Sequence, residues 1–207
     1  MKKAILATLA LSLPVLAGDP IITPAPAPAP APCAISLEVA GVYRDAAKEM
    51  LAVGPAKEID VFGTDLTMVY TADDNSAVTL RFGYNFGDEA QRGIFGGTEE
   101  VDVHSFYLMP GYRYTHALNS KTSVYGAVNA GLGNTSVKYK YDDAYGIVKG
   151  HDSDWGFVAS LEIGVRYQLN EKTDVFAAYE YSASYAKPDG CDEQTYNGIR
   201  IGVGYKF

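Results

Sequence analysis

The sequence predicts an all-β fold, an eight-stranded antiparallel up-and-down transmembrane β-barrel. Three observations predict it. Apolar residues recur at every second position in eight separate segments. The connections between those segments alternate between short and long. The mean hydropathy is −0.07, although 47% of residues are hydrophobic. A near-neutral average with one long apolar run excludes a bundle of membrane helices. A barrel wall gives that same average, because lipid-facing and lumen-facing positions alternate along every strand.

Composition narrows the class further. The chain has 207 residues, with 17 Lys and Arg against 25 Asp and Glu, a net charge of −8. That acidity lacks the basic footprint of a nucleic-acid binder. The apolar fraction is too high for a disordered chain. Two cysteines cannot build a disulfide framework.

The first 17 residues read as a signal peptide. Lys2 and Lys3 form a basic start, Ala4 to Leu13 an apolar segment, and Val15-Leu16-Ala17 a cleavage site. The apolar run is shorter than the roughly 20 residues a spanning helix needs. The mature chain is expected to start at Gly18, without the cysteine that a lipid anchor requires. Residues 18–33 form a Pro/Ala-rich periplasmic spacer. The alternating prolines from Pro24 to Pro32 can neither pair in a sheet nor continue a helix. Cys33 and Cys191 are expected at opposite ends of the barrel, and hence unbonded.

Residues 34–207 form the barrel. The first strand carries Ile35, Leu37, Val39, Gly41 and Tyr43 on one face, and the second Phe62, Thr64, Leu66, Met68 and Tyr70. The third has Val78, Leu80, Phe82, Tyr84 and Phe86; the fourth Phe106, Leu108, Pro110, Tyr112 and Tyr114. The fifth has Val124, Gly126, Val128, Ala130 and Leu132. The sixth is the clearest, alternating from Trp155 to Leu169, longer than an ordinary soluble strand. The seventh runs from Val175 to Tyr185, and the eighth from Ile199 to Phe207. Short turns are expected near Thr71–Ser76, Ala117–Lys121 and Asn170–Thr173. Long loops are expected at Ala46–Glu58, Gly87–Glu100, Tyr141–Asp154 and Ala186–Gln194. Pro110 cannot donate a ladder hydrogen bond, so a bulge or local break is expected there.

Alternation does not say which face is outside; residue chemistry does. The polar register carries Arg44, Arg81, Arg113, Arg166 and Arg200, with Glu38, Asp65, Glu162 and Glu180 as partners, set among small residues. Lys is nearly absent from it, and Arg suits enclosed bidentate pairing with carboxylates. These nine residues are expected to form a salt-bridge network in a narrow lumen. Aromatic residues fall at the strand ends. Tyr70, Tyr112, Tyr114, Tyr167, Tyr205 and Phe207 gather at the end predicted to be periplasmic. Tyr43, Phe62, Tyr84, Phe86, Trp155, Phe157, Tyr181 and Tyr185 gather at the other. Two such girdles mark membrane–water interfaces.

The signal peptide, the eight alternating segments and the terminal Phe207 together resemble the small outer-membrane β-barrel family that contains the OmpA transmembrane domain and OmpX-like proteins. The resemblance covers residues 34–207. It implies that Ile201, Val203, Tyr205 and Phe207 form the signal read by the barrel-assembly machinery. The Pro/Ala repeat departs from the pattern, and the chain ends with the barrel, so a C-terminal peptidoglycan-binding role has no support.

Other chemistry is sparse. His151 and Ser153 share a strand face as a conceivable base and nucleophile, but the nearest strand carboxylates, Glu162 and Glu180, belong to the opposite face. His104 and Ser105 point to opposite faces. Asp142, Asp143, Asp152 and Asp154 share one predicted loop without EF-hand spacing, so solvated acids are expected rather than a Ca²⁺ site. Neither a metal nor a cofactor is expected.

The expected function is structural or surface interaction by an integral protein of the bacterial outer membrane. The alternatives are a narrow passive channel and a lipid-modifying enzyme. Expected partners are outer-membrane lipid and lipopolysaccharide, the barrel-assembly machinery during insertion, and an extracellular partner at the loops. Apolar loop residues such as Met50, Leu51, Ile94, Phe95, Tyr145 and Ile147 would meet that last partner. The chain is expected to be a monomer. The four long loops hold 13 acidic and 5 basic residues, so the net acidity belongs to one end of the barrel.

Overall fold

The computed structural model describes residues 34–46, 59–92, 98–143, 146–188 and 193–207. The signal peptide, the Pro/Ala spacer, both cysteines and the loop residues Met50, Leu51, Ile94, Phe95 and Tyr145 lie outside them. Eight strands are present: β1 (Ala34–Ala46), β2 (Val61–Thr71), β3 (Ser76–Arg92), β4 (Thr98–Ala117), β5 (Thr122–Asp143), β6 (Gly146–Gln168), β7 (Thr173–Ser184) and β8 (Gln194–Lys206). Each pairs antiparallel with its neighbours in sequence, and β8 pairs back onto β1, closing the barrel. Closure leaves no unpaired sheet edge in the wall, as a lipid environment requires.

Every pairing keeps one register along its length, so no bulge interrupts the alternation of side chains. This decides the outcome at Pro110. Pairing of β4 with β5 lapses between Leu108↔Leu132 and Gly111↔Asn129 and resumes in the same register. The feature is a local break, not a bulge. On the other side Pro110 pairs with Leu80 without interruption, so the missing N–H costs the wall only on the β5 side.

The three short turns are built alike. In each, the second residue accepts two backbone N–H groups on its side-chain oxygen. Asp73 accepts from Asn75 and Ser76, Asn119 from Lys121 and Thr122, and Asn170 from Lys172 and Thr173, all at 2.7–2.9 Å. In each, the carbonyl of the fifth residue, Ser76, Thr122 or Thr173, accepts the N–H groups of the first two. Asx residues favour such turns because the short side chain reaches its own backbone two residues on. The N–H groups of Asn75 and Ser76 hold the exposed Asp73 carboxyl below its usual range.

One predicted loop is not a loop. Pairing of β5 with β6 continues as far as Asp143↔Gly146, so most of Tyr141–Asp154 is strand. Strands β3 and β4 likewise pair as far as Arg92↔Thr98. Sequence reading ended these strands where the outward face turned polar. The backbone ladder continues because it needs only a neighbour, not lipid. Asp152 and Asp154 therefore sit on β6, opposite Val137 and Thr135, while Asp142 pairs with Ile147. Asp142 and Asp152 are about 17 Å apart along the hairpin, at roughly 3.3 Å per residue, so the four acids do not form one cluster.

Candidate functional site

The barrel interior is the site. Odd and even positions separate without exception across the middle of each strand. In β2, Asp65, Thr67 and Val69 are buried, while Leu66, Met68 and Tyr70 are exposed. The exposed register is apolar on all eight strands: Ile163 is 68% exposed, Ile201 64% and Leu132 61%. A contiguous apolar belt of this kind is not compatible with water. The enclosed register is polar and charged.

Ten charged side chains fill the lumen in two groups. The upper group is a closed ring of alternating sign. Arg200 binds Asp65 through Nε at 2.8 Å and Glu162 through Nη1 at 2.7 Å. Glu162 also pairs with Arg81, which binds Glu180 at 2.6 Å. Glu180 takes Arg44 Nη2 at 2.8 Å, and Arg44 lies 3.9 Å from Asp65, where the ring closes. Tyr107 braces that last contact, accepting from Arg44 at 2.7 Å and donating to Asp65. The lower group is a chain. Arg113 meets Glu38 bidentately at 2.5 and 2.8 Å; Glu38 also pairs with Arg166, which binds Asp174 at 2.6 Å. Three arginines face three carboxylates above, and two face two below. Each group is neutral, which is the condition for burying charge at tolerable cost.

All nine residues read from sequence lie in these two groups. Asp174 is the tenth, and the sequence reading passed over it. It shares the parity of Glu180 on β7, but it stands one residue from the turn, where parity is hard to assign. Three inward aromatics packed against these charges were also not singled out. Tyr107 and Tyr125 contribute hydroxyls, the latter donating to Glu162 at 2.5 Å, and the Tyr125 ring lies 4.7 Å from the Arg113 guanidinium. Phe176 underlies Arg166 and Arg200. Each aromatic stands directly across the sheet from a glycine: Tyr107 from Gly83, Tyr125 from Gly164, and Phe176 from Gly202. A Cβ at Gly83 would collide with the Tyr107 ring and with Asp65. The glycine lets the ring lie flat across the wall, as aromatic residues do over strand glycines.

Above Arg44 the lumen continues as a small chamber of mixed lining, with Asn85, Thr135, Ser182 and Gln194 set beside Met109 and Val158. Higher still the inward face becomes apolar, where Ile59, Val101, Val103 and Val137 pack together. At the same level the outward face becomes polar. Phe106, Asn134 and Trp155 stand side by side on β4, β5 and β6; the next outward row is His104, Ser136 and Ser153. Polarity thus inverts across one row of the wall.

The aromatics lie at the two ends of the apolar belt. At the short-turn end, Tyr70, Tyr112, Tyr114, Tyr167, Tyr205 and Phe207 are exposed; Tyr112 donates to Ser76 in the first turn, and Tyr205 packs edge-on to Phe207. At the other end Trp155 packs edge-on to Phe106, Phe157 lies against Tyr185, and Tyr43 against Phe62. Tyr181 is exposed two outward positions nearer the middle of the belt than Tyr185, opposite Leu161. From Trp155 to Tyr167 on β6 is about 40 Å along the strand, or ~28 Å of height at a 45° tilt, near the apolar band of a membrane barrel. Ile201, Val203, Tyr205 and Phe207 all lie on the outward register.

His151 does not meet Ser153. Its Nε2 contacts Ser136 Oγ on the neighbouring strand at 3.0 Å. His104 contacts the Tyr84 hydroxyl at 2.9 Å on the outer face, and Ser105 faces Asn85 inside.

A closed antiparallel barrel with an apolar outer wall, a charge-neutral polar interior and aromatic ends is a transmembrane β-barrel. The chain belongs to the outer membrane protein β-barrel domain family, whose model matches residues 23–207. No curated protein sequence matches it. Among solved structures, it is similar in fold to Neisserial surface protein A, with 14% identity and a TM-score of 0.57, over 84% of this chain and 97% of that one. It is similar to Ail, the attachment invasion locus protein of Yersinia pestis, with 18% identity and a TM-score of 0.53, over 84% and 99%. It is also similar to the outer membrane protease OmpT of Escherichia coli, with 10% identity and a TM-score of 0.50, over 84% and 96%.

Proposed function

We propose that this chain is a non-enzymatic, monomeric protein of the bacterial outer membrane, with a structural or surface-interaction role and a lumen closed to solutes. The three short turns face the periplasm. The long hairpins β3–β4 and β5–β6 rise outside the cell and carry the acidic end of the molecule. Residues 1–17 direct export, and the outward register from Ile201 to Phe207 is what the assembly machinery reads. The observation that carries this reading is the closed ring Asp65–Arg200–Glu162–Arg81–Glu180–Arg44. It crosses the lumen with every charge engaged by a neighbour. An eight-stranded barrel has room for side chains and little else.

The small chamber above Arg44 favours a second reading, a narrow passive channel whose path stops at the ring. Planar-bilayer recording separates the two. The protein reconstituted from detergent should give no conductance steps. Regular unitary steps that grow when Glu180→Ala opens the ring would establish the channel. A lipid-modifying activity would need His151 and Ser153 to act together, and His151 is instead engaged by Ser136.

A further inference from the structure

The outward face of the β5–β6 hairpin carries a narrow basic strip on a protein whose net charge is −8. Register fixes its layout. One row above Trp155 stand Ser136 and Ser153, then Lys138 beside His151, then Lys140 beside Lys149. Lys138, Lys149, His151 and Ser153 are exposed. Lys140 is held by Glu100 on β4 at 3.1 Å. Asp102 stands beside Lys138 on the β4 side, so the strip is two strands wide and bounded by acids on that flank. Among the described residues, Lys138 and Lys149 form no ion pair.

The height of the strip sets its partner. The row of Phe106, Asn134 and Trp155 is where the outer wall changes from apolar to polar, so lipid ends there. Lys138 and His151 lie four residues beyond Trp155 on the paired strands. That is about 13 Å along the strand and ~9 Å above the belt at a 45° tilt. Headgroups occupy the layer just outside the hydrocarbon. Lys138 and Lys149 are diagonal neighbours across the hairpin, roughly 7–8 Å apart at the backbone. Two flexible ammonium groups at that spacing reach one phosphate, with the Ser153 hydroxyl and the His151 ring below them as further hydrogen-bonding groups.

We propose that Lys138 and Lys149 bind the phosphate group of a phosphorylated lipid in the outer leaflet, whose acyl chains lie along the Phe106–Trp155 wall. The proposal rests on the outer-membrane reading above and adds a lipid site to it. A cation near an anionic lipid surface gains most when the apolar part of the same ligand is already anchored beside it.

Native mass spectrometry of the full-length protein, released from micelles containing lipid A, tests the proposal. The probes are bisphosphorylated lipid A and its dephosphorylated form. Wild type should retain the phosphorylated form in preference, and Lys138→Gln/Lys149→Gln should lose that preference by about tenfold or more. Lys121→Gln/Lys172→Gln, at the opposite end of the barrel, should retain it. Equal retention of both lipids by wild type, or unchanged preference in the Lys138/Lys149 variant, overturns the site. Displacement of the lipid by excess inorganic phosphate also overturns it, since the strip would then hold any free anion. Heat-modifiable migration on SDS gels reports folding independently. If the double variant fails to fold, Lys149→Gln alone, at the exposed far end of the strip, carries the same test. Failure of the membrane reading would show separately, as a protein that needs no detergent to stay in solution.

Discussion

Glu162 is the residue on which the upper ring turns. It holds Arg81 and Arg200 and accepts the Tyr125 hydroxyl; its removal leaves each guanidinium with a single carboxylate, Glu180 or Asp65, and the ring with three buried cations against two anions. Breaking a buried pair from one side typically costs about 3–5 kcal/mol, because the partner's charge stays behind. Glu162→Ala should therefore lower the unfolding free energy of the barrel folded into lipid vesicles by about that amount, read as a lower urea midpoint. An unchanged midpoint would mean that the ring adds nothing the wall does not already supply. At this scale the sequence was informative through parity alone. Nine charges fell on one register because a strand alternates its faces, and no partner had to be known. Pairing was another matter. Asp65 and Arg200 are 135 residues apart, and only barrel closure brings them together. The inward aromatics were hidden for a related reason. Parity places Tyr107 inside, between outward Phe106 and Leu108, but the room for its ring comes from Gly83 on the neighbouring strand, which only register brings opposite.

The strands and turns were legible to different depths. Within the membrane the contrast between apolar and polar positions is strong, and all eight strands show it. Beyond the belt the contrast reverses sign, with Val101, Val103 and Val137 inside and Lys138 and His151 outside. A reader following one apolar register loses the strand at that point, which is why Tyr141–Asp154 looked like a loop. The turns repeat a pattern that was available in the sequence: Leu118-Asn119-Ser120-Lys121-Thr122 and Leu169-Asn170-Glu171-Lys172-Thr173, with Ala72-Asp73-Asp74-Asn75-Ser76 a variant. Because Asn serves in two of the three, Asp73→Asn should fold as wild type does. Asn119→Ala, which frees two turn N–H groups, should destabilise by about 1 kcal/mol in the same urea titration. The Asp73 carboxyl is held below its unfolded value by those N–H groups, so its contribution is present above the ordinary Asp range. It fades as pH falls through the folded value. Asp73→Asn should remove that part of the acid dependence. A titration in which the two proteins lose stability in parallel at low pH would contradict this account of the turn.

For the molecule as a whole, the charge of −8 is unevenly placed. The ten lumen charges cancel, five against five, and the acidic excess lies from the strand ends far from the short turns through the segments that join them. Ordinary protein polarity is inverted within the belt and restored above it. The restored portion has its own apolar packing at Ile59, Val101, Val103 and Val137, so the upper hairpins stand as a sheet in water on a barrel in lipid. The chain carries its single tryptophan at the level where one becomes the other. Trp155 is 61% exposed on the outer wall at the inversion row. Its fluorescence in vesicles made with brominated lipids reads that level directly. The structure predicts a blue-shifted emission, quenched most by bromines placed near the headgroup end of the acyl chain and little by aqueous iodide. Emission at the wavelength of exposed tryptophan, quenched by iodide and indifferent to brominated lipid, would contradict it.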